Sequence, residues 1–177
     1  MSRFVGNVDT SRKQGTTVSS SAIPVLLAPH EIDMAAHIGV SVQKAAIKRD
    51  PQNVTNERWG TTIEQFMVEM AFAKVAGIFW DPGVLKTVMD RTLRIQLCPG
   101  DNLSIPADAE DNDYFILATG KAGQYAFHGY VSGKKAKTGI PDEKSGAYQI
   151  SPEMLKPLAP LFRVMIDDIS KRHGPPT

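Results

Sequence analysis

IEQFMVEMAFAKVAGIFW, residues 63–80, decides how the rest of the chain is read. Ile63, Phe66, Met67, Met70, Ala73 and Ala76 recur at helical spacing, and Gly77 stands where the helix would stop. Thr61 with Glu64 three residues on reads as a capping box, which starts the helix at Thr61 and gives Glu64 a local task. Between Gln65 and Lys74 the only polar residue is Glu69. An ionised carboxylate in such a run is costly to bury unless hydrogen bonds, a cation or a metal accompany it. Glu69 therefore has three readings: a core-edge carboxylate satisfied by a cation or backbone, a ligand of a divalent metal, or a base.

Working outward, Pro29 or His30 opens an earlier helix that runs to about Arg49, with Glu31 and Asp33 at its positive end and Asp50-Pro51 as its stop. A polar loop through Asn53 and Asn56 to Gly60 joins the two helices. Downstream, Asp81-Pro82-Gly83 is a turn and the period changes. Leu93, Ile95 and Leu97 alternate with Thr92, Arg94, Gln96 and Cys98, which predicts a strand. Pro99-Gly100-Asp101-Asn102 turns the chain into a short strand, Leu103 to Ile105. Tyr114 to Thr119 and Tyr125 to Val131 form two more strands, joined around Gly120 to Gly123. A Lys- and Gly-rich loop leads to Ala147–Ile150, and Leu161 to Arg172 is amphipathic. The order of helix, helix, strands, helix predicts an α/β or α+β layer fold. Residues 1–22, rich in Ser, Thr and Gly with a basic pair at Arg12 and Lys13, read as an N-terminal arm that is mobile in isolation or bound by a partner or neighbouring subunit. Residues 23–160 form the domain, and 161–177 the C-terminal helix and tail.

A chain of 177 residues is long enough for one domain with a sizeable core. Its 20 Lys and Arg against 19 Asp and Glu argue neither for nor against nucleic acid, so a nucleic-acid surface would have to gather its cations locally. Cys98 is the single cysteine, which excludes an intramolecular disulfide and a cysteine-rich zinc site and favours a reducing setting. The apolar run Ala22–Pro29 is too short to span a bilayer, and no signal peptide precedes it. No membrane partner is expected.

Asp90 precedes the Leu93–Leu97 strand, where it reads either as turn chemistry or as a functional acid. Arg94 and Gln96 share a face of that strand, because side chains two apart do so. The cluster Glu110, Asp111 and Asp113 reads as a solvated strand entry. Lys134, Lys135 and Lys137 form either a solvated loop or a point-charge contact to phosphates. His128, inside an apolar strand, reads as a hydrogen-bonded core histidine. Trp59 and Trp80 read as core residues.

A helix glutamate, an acidic strand entry and two polar residues on one strand face resemble the PD-(D/E)XK nuclease superfamily, and more closely its small phage-encoded proteins. The resemblance rests on PHEIDMAAHIGV (29–40), IEQFMVEMAFAKVAGIFW, DRTLRIQL (90–97), DNDYFILATGKAGQYAFHGYVSGKKAK (111–137) and AYQISPEMLKPLAPL (147–161). It implies a restriction-endonuclease-like mixed central sheet flanked by helices. It also implies a Mg²⁺ site with Glu69 as the helix glutamate and Asp90 as the strand-entry aspartate, both metal ligands and catalytic. The third element, Glu/Gln-x-Lys, departs from the pattern. One register places Arg94-Ile95-Gln96 there, with a cation where an acceptor belongs; the other places Gln96-Leu97-Cys98 there, which keeps the acceptor and loses the cation.

In the first register Arg94 would oppose a metal, since a like unit charge about 4 Å away costs roughly 4 kcal/mol at an effective dielectric near 20. It would pair instead with Glu69 or Asp90. In the second register Lys74 or Lys86 would have to replace the cation. Two functions follow from the resemblance. One is metal-dependent phosphodiester hydrolysis on nucleic acid, in the host cytoplasm. The other is a catalytically inactive nuclease fold serving as a structural or interaction protein, as a homo-oligomer or with other phage proteins in the virion.

Overall fold

The computed structural model of the chain describes residues 22–50, 56–82, 87–88, 91–100 and 102–173. Residues 1–21 of the expected arm and the tail beyond His173 lie outside them. Strand β1 (Ile23–Leu26) leads into helices α1 (Pro29–Arg49) and α2 (Asn56–Ala76). After them come β2 (Thr87–Val88), β3 (Arg91–Leu97), β4 (Leu103–Ile105), β5 (Tyr114–Lys121) and β6 (Gln124–Ser132). Short helix α3 (Gly133–Ala136), strands β7 (Ile140–Pro141) and β8 (Tyr148–Ile150), and helix α4 (Ala159–His173) complete the order. The fold is mixed α/β. One sheet has five strands in the order β1-β6-β5-β3-β2, and a second has three in the order β4-β8-β7. In the larger sheet β3 and β5 run parallel, while β5–β6, β1–β6 and β2–β3 are antiparallel.

Two cores flank the larger sheet. On one face α1, α2 and α4 lay Ala35, Phe66, Phe72, Ala73, Leu161 and Met165 against Leu93, Ile95, Ile116, Ala118 and Phe127. On the other face the small sheet brings Leu103, Ile105 and Ile150 against Phe115, Leu117 and Val131. Strand β5 is covered on both sides, with Phe115 to Ala118 all fully buried. That explains why FILA reads as a continuous apolar run rather than an alternation. Helix α2 is buried all round from Phe66 to Ala73 for a similar reason. The Phe72 ring lies 5.5 Å from Phe127 of β6 and 5.5 Å from Phe162 of α4. A helix enclosed on several sides loses its polar stripe. Helix α1 packs antiparallel on it: a Cβ at Gly39 would stand 3.0 Å from the Ile63 Cα, and Thr62 donates to the Gln43 carboxamide at 3.3 Å.

The helix expected from Thr61 begins at Asn56, so part of the expected polar loop is its first turn and Glu64 lies inside it. Gly60 costs about 1 kcal/mol relative to Ala in a helix interior, which the packing of the following turns outweighs. Ile23–Leu26, read only as an apolar run, pairs with β6 as an edge strand. Strand β6 also carries a bulge: Leu117 pairs with Gly129 and Ala118 with Phe127, so His128 is the extra residue. The bulge switches which residues face which core. Tyr125 and Phe127 before it face the helices, and Val131 beyond it faces the small sheet.

Candidate functional site

Glu69 is buried, at 8% exposure, on the side of α2 that meets the sheet. One turn earlier on the same face, Gln65 donates its amide both to Glu69 Oε1 at 3.0 Å and to the Ile95 carbonyl at 3.3 Å. A single carboxamide thus ties the carboxylate to the backbone of β3. Leu93 and Ile95 of β3 face the same core. Asp90 lies outside the described residues, as do Lys86 and Asp101.

Arg94 and Gln96 alternate with Leu93 and Ile95, so they project from the opposite face of β3. The guanidinium of Arg94 does not meet Glu69. Its Nη2 lies 3.7 Å from Asp113 Oδ2, and its Cζ lies 5.9 Å from the centre of the Phe115 ring, which belongs to the second core. Arg94 is half-exposed, whereas the Asp113 side chain is almost fully buried at 3% exposure. Asp113 is therefore no part of a solvated entry, unlike Asp111 beside it. The Asp113 carbonyl accepts the Gly133 amide at 2.8 Å, which joins the start of β5 to the start of α3.

Lys134, Lys135 and Lys137 sit on and just after α3. Lys137 is spent on Asp111 at 2.6 Å, and this contact holds the Asp111 carboxyl below its ordinary range and raises the Lys137 ammonium. Lys134 and Lys135 are exposed and make no ion pair among the described residues. Lys74, a candidate replacement cation, is committed elsewhere. It bonds Glu31 at 2.6 Å and the Leu26 carbonyl at 3.0 Å, clamping α2 to α1 and β1. The hydrogen bond from Lys74 lowers the Glu31 carboxyl below its ordinary value. His128 is hydrogen-bonded to the Thr119 hydroxyl at 2.8 Å as expected, but it is only half-buried at the bulge rather than a core residue. Trp80 is buried edge-on to Phe66. Burial pushes the Cys98 thiol up, away from the thiolate a nucleophile needs.

Sequence reasoning missed the task of Glu64. Its Oε1 accepts the Tyr125 hydroxyl at 2.5 Å and the Ala122 amide at 2.8 Å. Ala122 and Gly123 form the two-residue β5–β6 turn with φ of +52° and +86°, the mirror-image turn a hairpin prefers. Alanine is strained there, and the Glu64 carboxylate secures its N–H. Burial and then Glu64 push the Tyr125 hydroxyl above its ordinary value. The Thr-x-x-Glu pattern disguised this residue as a cap.

For the Mg²⁺ that the resemblance implies, Glu69 has the right chemistry, because Mg²⁺ is usually held by one or two carboxylates and water. Arg94 and Gln96 are not placed to join it. Among the described residues no three His, Cys, Asp or Glu side chains group as a metal site. No helix among them is long and apolar enough to cross a membrane. No family model matches the chain, and neither curated proteins nor solved structures yield a match.

Proposed function

We propose that the chain is a PD-(D/E)XK-like α/β protein whose strand element has passed from catalysis to structure, and that it works as a non-catalytic interaction or structural protein of the phage type. One observation carries the reading. Arg94, in the strand element, is paired with buried Asp113 on the face of β3 opposite Glu69. The two halves of the expected site are therefore turned away from each other. Lys134 and Lys135 remain as solvent-facing cations for a nucleic-acid partner, and Lys137 is neutralised by Asp111.

A second reading, Mg²⁺-dependent hydrolysis by Glu69 and Asp90 alone, has one observation in its favour: Gln65 holds the Glu69 carboxylate in a fixed position beside β3. Incubation with duplex, single-stranded and branched DNA in Mg²⁺ or Mn²⁺, together with metal calorimetry, tests the two. The first reading expects neither cleavage nor metal binding. Cleavage that disappears in both Glu69→Ala and Asp90→Ala overturns it in favour of the second.

A further inference from the structure

We infer that the cleft between the first turns of α2 and the β5–β6 turn binds a nucleotide whose base carries an exocyclic amino group. The inference stands apart from whether Glu69 works in catalysis. The cleft has a volume of about 480 Å³ and is lined by Gly60, Thr61, Glu64, Gln65, Leu97 and Lys121. That size falls in the range of small-molecule sites, and is more than a free amino acid fills. Thr61, Glu64 and Gln65 are three and four residues apart, so they share one face of the helix.

Two of the lining residues are acceptors held in place by other contacts. Glu64 Oε1 is fixed by Tyr125 and Ala122, and Glu64 Oε2 takes no hydrogen bond among the described residues. Gln65 uses both amide protons on Glu69 and Ile95, which leaves its Oε1 as a second acceptor without a donor among those residues. At the rim, Lys121 is exposed and makes no ion pair among the described residues. Leu97 supplies an apolar wall.

Two preset acceptors, an apolar wall and a cation at the mouth call for a flat ligand with N–H donors on one edge and an anionic group at its end. Adenine, cytosine and guanine carry amino donors, whereas uracil and thymine have no such group. A phosphate meets lysine as a point charge. An amino-bearing base would pair with Glu64 and Gln65, lie along Leu97 and bring its phosphate to Lys121. A free nucleotide and an unstacked nucleotide of a single strand present the same chemistry.

Titration of the full chain with AMP, CMP, GMP and UMP, and with a single-stranded tetranucleotide, tests the site by calorimetry. The amino-bearing ligands should bind more tightly than UMP. Lys121→Glu should weaken them by about tenfold, the effect of a lost charge-assisted contact. Glu64 also supports the fold, so Gly60→Leu serves as the blocking variant. A Cβ at Gly60 meets no atom within 4 Å, and leucine is the better helix former, so the fold should hold while the cleft fills. A tetranucleotide that binds more tightly than the mononucleotides assigns the site to nucleic acid; the reverse assigns it to free nucleotide. The inference is overturned if no amino-bearing ligand binds at millimolar concentration, if UMP binds equally, or if binding survives Gly60→Leu.

Discussion

Replacing Glu64 by alanine should destabilise the protein far more than its place on a partly exposed helix face suggests. Two donors lose their acceptor at once. Tyr125 is only 4% exposed, so its hydroxyl is left without a partner in a buried position. A hydrogen bond to a charged group is worth roughly 1.5–3 kcal/mol, and an orphaned buried donor forfeits its desolvation as well. The Ala122 amide belongs to an exposed turn and regains water, so its share is at the low end, about 0.5 kcal/mol. The expected loss for Glu64→Ala is therefore about 2–4 kcal/mol. Tyr125→Phe removes only the hydroxyl, and the double variant leaves neither partner stranded. Urea unfolding of all four proteins, with the slope unchanged, should give a coupling energy of about 1.5–3 kcal/mol. The raised Tyr125 hydroxyl sets the sign with pH: its stabilisation is complete below the ordinary tyrosine value of 10.0 and is lost as the solution becomes more alkaline. A coupling below roughly 0.5 kcal/mol would refute the reasoning, because contacts that close cannot be additive if they matter.

Three further outcomes follow from the same geometry. Arg94→Met should cost about 1–2 kcal/mol in urea unfolding, since buried Asp113 loses its counter-charge while the exposure of Arg94 discounts the pair; no change in stability would count against a structural Arg94. Ala122→Gly relieves a left-handed alanine, a strain of about 1–2 kcal/mol offset partly by the entropy of glycine in the unfolded chain, so the thermal midpoint should rise by roughly 1–3 °C. The lowered Glu31 carboxyl gives stability that is present above its ordinary value of 4.5 and is lost as pH falls through its value in the fold. The wild type should therefore lose more stability than Lys74→Met over roughly pH 5 to 3, and parallel pH profiles would dismiss the clamp.

Much of the fold is legible in the sequence because the signals are local. Pro29 and Asp50-Pro51 bracket α1, the alternation at Leu93, Ile95 and Leu97 marks β3, and the FILA run marks a strand covered on both faces. Glu69 was equally legible as a carboxylate in need of company. Its partner was not, because Gln65 looks like the polar edge of a helix until β3 brings the Ile95 carbonyl within reach. Glu64 was harder still. Its two donors lie 58 and 61 residues downstream, and only the β5–β6 turn brings them together. The short α3 and edge strand β1 depend on neighbours in the same way and carry no strong period of their own.

The separation of Glu69 from Arg94 follows from strand parity. Once Leu93 and Ile95 face the helices, period-two geometry sends Arg94 and Gln96 to the other side of the sheet. Only a one-residue slip of β3 would reverse this, and that slip would expel Leu93 and Ile95 from the core. The register against β5 opposes it, because Arg94 sits opposite Phe115 and Phe115 is fully buried in the second core. A bulge could reorient part of a strand, but in this sheet the bulge falls on β6 at His128, two strands away from β3. Mg²⁺ holds its ligands at about 2.0–2.1 Å, so a single ion cannot take donors from both faces of a sheet. Any chemistry at Glu69 must therefore do without the polar pair that the strand carries on its far side.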